Sequence, residues 1–200
     1  MRMKQTWTAL RALLILTVVL GVGYPLLITG IGQLALPAQA NGSLVSSDGA
    51  VVGSALIGQA FTDADGTALP EWFQSRPSAA GAGYDGGASS GSNYGPENPD
   101  LISAIQNRRS AIESLESVTV AEIPVDALTA SASGLDPHIS PAAAFYQVRR
   151  VARQRGLPEA ELRQLVSQHV EGRQFGVLGE PVVNVLLLNL ALDERAPRTR

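Results

Sequence analysis

Apolar and polar positions divide this chain unevenly. Between Ala12 and Ser47 there is no Lys, Arg, Asp, Glu or His, and the run ALLILTVVLGVGYPLLITGI, Ala12 to Ile31, is 20 residues long. At 1.5 Å per residue such a run reaches about 30 Å as a helix, the thickness of the hydrocarbon core of a bilayer. The pattern predicts a transmembrane helix over residues 12–34. Gly21, Gly23 and Pro25 are poor choices for an isolated soluble helix. In lipid, small residues let a second helix approach closely and a neighbour can accommodate a proline kink, so these three are candidate docking positions. A Gly/Ser/Pro-containing linker follows over 35–48.

Beyond the linker the elements shorten. AVVGSALIGQAFT, residues 50–62, reads as short buried strands broken by Gly. The stretch 63–100 is dense in Gly, Ser, Asn and Pro and reads as a loop, with Trp72 and Phe73 pinning it to the core. From Pro99 to Leu115, Leu101, Ile105, Ile112 and Leu115 fall near one face of a helix. VTVAEIPVDAL, residues 118–128, reads as a short strand and a turn. Ser140-Pro141 starts a helix, with Ser as the cap and Pro at the first helical position. Ala144, Phe145, Val148, Val151 and Ala152 form its apolar stripe, and Gly156 stops it. A further helix is expected from Pro158 to Gly172, with Leu162, Leu165, Val166 and His169 on one side. VVNVLLLNLALDE, residues 182–194, reads as strand then helix, and residues 196–200 as a flexible tail. The sum is an α+β domain over 49–195 anchored by one N-terminal transmembrane helix.

Charge orients the span. Arg2, Lys4 and Arg11 precede it, and the next basic residue is Arg76. The positive-inside rule assigns residues 1–11 to the cytoplasm and the domain to the outside. A cleaved secretory leader is the rival, with LPAQA offering Ala38 and Ala40 at cleavage spacing. The apolar core of a leader is about 7–15 residues, however, and this run exceeds it. Three of the 15 Lys and Arg precede the span, so the outer domain holds 12 against 18 acids, a net charge of −6. That balance argues against nucleic acid as a partner; membrane lipid is a partner through the span. The chain has no cysteine, which excludes disulfides, thiolate-zinc sites and cysteine nucleophiles.

Candidate chemistry is sparse. In an extended segment, Asp136 and His138 point the same way and can touch, and a carboxylate there would raise the imidazole pKa or fix its tautomer. A metal site needs more ligands than His169 alone adds, and neither H-x-x-x-H nor H-E-x-x-H is present. Asp136 can instead bond backbone N–H groups in the turn, so the pair reads as turn or interface architecture. The run GGASSGSNYG lacks the Lys-Ser/Thr of a phosphate loop, and no G-x-S-x-G elbow occurs. Arg149 and Arg153, four apart, share a helix face that can dock an acidic surface or lie in solvent, whereas Arg150 points elsewhere. No catalytic, cofactor-binding or metal-ligating residue is identified.

Taken in order, GYP (23–25), GSALIGQAF (53–61), WFQSRPSAAG (72–81), GSNYGPENP (91–99), SGLDPHISPAAAFYQVRRVARQRGL (133–157) and VEGRQFGVLGEPVVNVLLLNLALD (170–193) carry a likeness covering nearly the whole chain. It resembles the C subunit of the bacterial Kdp potassium-transporting ATPase. Tyr94 and Val182 depart from the family's commoner aliphatic residue and Arg, which puts those two contacts in doubt. The resemblance implies a non-catalytic subunit of the bacterial inner membrane. Its implied partners are a channel-like potassium-translocating subunit, a P-type ATPase subunit and a small single-span subunit. It also implies a role in assembly, and one as a catalytic chaperone raising the nucleotide affinity of the ATPase subunit. ATP and potassium are then handled by the complex, with no cofactor bound by this chain. A membrane-anchored extracytoplasmic hydrolase and a ligand-binding module are the alternatives. The first predicts activity without partners, the second saturable binding in isolation.

Overall fold

The structure, a computed structural model, describes residues 2–197; of the tail expected at 196–200, residues 198–200 lie outside the described part. The chain divides after Leu44 into two units. In the first, α1 (Arg2–Val18), one π-helical turn (Val19–Gly23) and α2 (Tyr24–Ala35) follow one another without a break. The helical run Met3–Ala35 is 33 residues, about 50 Å at the standard rise. Its apolar side chains are exposed on every side, the arrangement of a helix whose solvent is lipid.

Residues 35–48, expected as loop, contain α3 (Pro37–Ala40) and β1 (Leu44–Ser47). Pro37 occupies the first helical position of α3, where its missing N–H is no loss. The Asn41 side chain then closes the corner, bonding the Gln33 amide at 3.0 Å and the Pro37 carbonyl at 2.6 Å.

In the second unit, β1 pairs with β2 (Ala50–Ser54) across Asp48 and Gly49, both at positive φ, as a tight hairpin turn requires. The further strands expected in 55–62 do not form. From residue 55 to 98 the chain has no helix and no strand apart from isolated bridges. Next comes α4 (Pro99–Glu116), whose first turn is capped by Asn98 accepting the Asp100 N–H at 2.7 Å. The strand expected in 118–128 is instead a 3-10 turn (Val120–Glu122) followed by α5 (Val125–Leu128). A capping box between Thr119 and Glu122 selects the turn, and Pro124 keeps the backbone from joining a ladder.

The remaining elements are β3 (His138–Ile139), α6 (Pro141–Phe145), α7 (Val148–Arg155), α8 (Glu159–Gln168), β4 (Val170–Glu171), β5 (Val182–Asn184) and α9 (Val185–Arg195). Ser140 caps α6 by accepting the Ala143 N–H at 3.0 Å, with Pro141 at the first position. The single helix expected to Gly156 tightens at Tyr146 and Gln147, where the Gln147 N–H reaches back three residues to Ala144. The helix expected to end at Gly172 stops at Gln168, and Val170 and Glu171 pair with β5. Three short antiparallel strands lie in the order β3-β5-β4, with His138 opposite Asn184 and Val170 opposite Val183. The result is an α+β domain, with α6–α9 supplying Val148, Val151, Leu162, Val166, Leu188 and Leu192 to its core.

The long loop enters this core at Phe73, which is fully buried. No strand pairs with it. Side chains do that work: Asn189 accepts the Phe73 N–H at 3.0 Å and donates to the Phe73 carbonyl at 2.9 Å. Gln147 does the same for Gln74, at 2.7 and 3.2 Å. The Arg150 guanidinium donates to the carbonyls of Pro70 and Trp72 while pairing with Glu116 at 2.8 Å, both side chains being buried. Arg155 lies over the Trp72 ring and donates to the Glu71 carbonyl at 2.9 Å. Replacing Asn189 by Leu keeps the branched outline of the side chain and strands two buried backbone groups, each worth about 1–3 kcal/mol. Denaturant unfolding of the full chain in detergent, followed by near-UV circular dichroism, should show Asn189→Leu less stable by about 2–5 kcal/mol. A change within experimental error would mean that the loop does not depend on this amide.

Candidate functional site

Asp136 and His138 do meet. The Asp136 carboxylate accepts the His138 backbone N–H at 3.0 Å, the bond of an Asx turn, and lies 3.4 Å from the imidazole Nδ1. Its other oxygen pairs with Arg76 at 3.1 Å, and Arg76 also reaches the Thr129 carbonyl. Burial raises the Asp136 pKa, but the bonds from His138 and Arg76 outweigh it and hold the carboxyl below its ordinary value. The His138 pKa is raised above the ordinary 6.5, chiefly by its bond to Asp136, with burial opposing. Arg76, 60 residues away in sequence, is a member that sequence spacing could not identify. A shallow cavity joins Asp136 and His138 to Glu180 and Pro181, just before β5. Among the described residues no group of three or more His, Asp and Glu side chains is placed to hold a metal. His169 ends α8 with Nδ1 at 2.9 Å from the Leu165 carbonyl.

The arginines of α7 divide by helical period. Arg150 faces inward and is buried, whereas Arg149 and Arg153 are exposed. Arg149 is near enough to Glu122 to contribute to lowering that carboxyl, an effect led by the Thr119 backbone N–H. In the span, Gly21 and Gly23 flank Val22 within the π-helical turn, and Pro25 follows in the first turn of α2.

One exposed group was not visible as a site in the sequence. Between β4 and β5 the chain turns back on itself, with Gln174 and Leu178 exchanging backbone bonds of 2.9 Å. Phe175 stands at the tip with φ +52 and 90% of its surface exposed; Val177 and Leu178 are exposed beside it. Phenylalanine is disfavoured at positive φ, and here almost all of the ring is left in solvent. Below the tip, Arg173 and Glu180 pair across the turn at 2.6 Å. Three apolar residues between turn glycines, in GRQFGVLGEP, were the available signal.

One helix long and apolar enough to cross a membrane, followed by an α+β domain, is the layout of a single-pass, membrane-anchored protein. The family model for the K+-transporting ATPase, c chain, matches residues 6–194. A potassium-transporting ATPase KdpC subunit of Sorangium cellulosum is 58% identical over 186 residues, covering 92% of this chain and 95% of that protein. Those of Methylococcus capsulatus (56% over 186 residues, 92% and 95%) and Kineococcus radiotolerans (50% over 195 residues, 98% and 96%) are similar. The chain belongs to the KdpC family, the c chain of the K+-transporting ATPase, and carries one helix long and apolar enough to cross a membrane.

The titration of His138 gives a test. Because its folded pKa is raised, the protonated ring contributes stability that is full below pH 6.5 and is lost as pH rises through the folded value. Asp136 works in the opposite window, contributing above 3.8 and losing its effect as pH falls through its depressed value. Thermal unfolding of the full chain should therefore fall in Tm from pH 6 to pH 8 more steeply than that of His138→Gln. Parallel profiles would remove the Asp136–His138 bond as a source of stability.

Proposed function

We propose that this subunit locks the potassium-transporting ATPase together through its membrane helix and holds a partner with the exposed surfaces of its outer domain. Residues 12–34 cross the hydrocarbon, with 1–11 inside and 49–195 outside. What supports the reading is the π-helical turn near the middle of the span. A helical carbonyl accepts the N–H four residues on. For Gly21 that residue is Pro25, which has no N–H. The Tyr24 N–H, due to Leu20 in an α-helix, goes to Val19. Glycines 21 and 23 leave this backbone without side-chain cover. In hydrocarbon an unpaired carbonyl is expensive, and a neighbouring helix is the usual remedy. π-Turns concentrate at functional positions for the same reason. The helix is thus built to receive a neighbour at Gly21, Gly23 and Pro25.

Outside the membrane, Arg149 and Arg153 offer a basic face to an acidic partner surface, and the Phe175 tip offers an apolar one. Asp136 and His138 hold β3, which pairs with β5 at the hairpin base, and their exposed edges belong to the same surface. The partners are the channel-like potassium-translocating subunit, the P-type ATPase subunit and the small single-span subunit. Raising the nucleotide affinity of the ATPase subunit is compatible with this geometry only as a coupling transmitted through the complex, since domain and nucleotide lie on opposite sides of the bilayer.

Three variants test the reading. Gly21→Leu with Gly23→Leu should insert normally and lower the yield of assembled complex several-fold. Arg149→Glu with Arg153→Glu, and Phe175→Ser, should lower it with the span intact. Complex yield is read by co-purification, and function by potassium-stimulated ATPase activity. Unchanged yield and activity in all three would leave the docking role without support.

A further inference from the structure

Between α4 and the body of the domain lies a cavity of about 600 Å³, reached by Arg108, Ile112, Leu115, Ala143, Tyr146 and the loop before Pro77. That volume falls in the range of small-molecule sites. Most of its wall is aliphatic or aromatic, but three charged side chains line it, and two are already neutralised. Arg76 is paired with Asp136, and Glu116 with Arg150. Arg108 is the exception. Its guanidinium donates to the Leu128 carbonyl at 2.9 Å, and no carboxylate among the described residues pairs with it. Burial pulls its pKa below the ordinary value. A part-exposed cation without a counter-charge, beside an apolar hollow, is a ready partner for an anionic head group. The Tyr146 hydroxyl on the same wall adds a donor, kept protonated because burial pushes its pKa up.

We infer that this cavity binds a small amphipathic carboxylate, its apolar body against Ile112, Leu115 and Ala143 and its anionic head at Arg108. The charge fixes the sign of the ligand. An amine or a neutral lipid fragment would leave Arg108 as it stands, whereas a carboxylate supplies the missing partner in a bidentate geometry. The lining supplies the rest of the recognition, since apolar burial rewards an alkyl or aryl body and rejects inorganic anions. None of Gly21, Gly23, Pro25 and Phe175 lines the cavity, so the inference does not depend on the docking reading.

Phenylbutyrate is a suitable probe, with phenylbutyramide as its uncharged counterpart. Radiolabelled phenylbutyrate should bind the full-length chain in lipid nanodiscs saturably, at one site per chain, above the level of empty nanodiscs. The amide should compete at least about tenfold less well, the value of a charge-assisted hydrogen bond. Arg108→Gln, which keeps a donor for the Leu128 carbonyl and removes the charge, should weaken binding by a similar factor, and Arg108→Lys by less. Ile112→Trp, which fills the hollow, should abolish binding while thermal unfolding remains cooperative. Binding should persist in the assembled complex. The inference is overturned by absent saturable binding, by equal competition from the amide, or by affinity unmoved in both Arg108→Gln and Ile112→Trp. Loss of binding on assembly would also overturn it, because a partner segment would then be the occupant.

Discussion

The packing of the α+β domain depends on satisfying the backbone of residues 70–74. This five-residue stretch runs into the core with polar groups that water cannot reach, and no strand accompanies it. An unpaired buried N–H or C=O is a penalty a domain of this size cannot absorb repeatedly. The solution is a set of side chains whose amide and guanidinium groups imitate a neighbouring strand. Gln147 and Asn189 each exchange a donor and an acceptor with one residue, and Arg150 and Arg155 take the remaining carbonyls. Since Arg150 also binds Glu116, the same guanidinium that fixes the loop attaches the last turn of α4. The buried pair is thus a junction of three segments, and its geometry matters more than its net electrostatic gain.

Local rules made much of the architecture legible. The charge-free run, the Ser140-Pro141 start and the Gly156 stop all rest on interactions within a few residues, and each appears where expected. The α+β class followed from the alternation of short elements. Misreadings came where a side-chain cap or a distant strand overrode propensity. Val118 to Leu128 is rich in β-branched residues, yet a reciprocal Thr119–Glu122 cap wins over propensity. Val170 and Glu171 fit a helix by period, and only the presence of β5 turns them into a strand.

The candidate sites divide the same way. That Asp136 and His138 could touch follows from two-residue spacing in an extended segment, and that Arg149 and Arg153 share an outward face follows from the helical period. Arg76, Glu116 and Leu128, which decide what Asp136, Arg150 and Arg108 do, lie far away in sequence and leave no local trace. Phe175 was passed over for another reason. Sequence reading expects turns to be polar, and an aromatic at a left-handed tip is legible only once its exposure is known.

The side-chain pairing of residues 70–74 also sets an order of events. Phe73 precedes Asn189 by 116 residues, so the loop leaves the ribosome long before its partners exist. Until α9 has been made, the core that receives Trp72 and Phe73 is incomplete. Folding therefore closes from the later half back onto the earlier one, and the anchored chain waits with an aromatic segment uncovered.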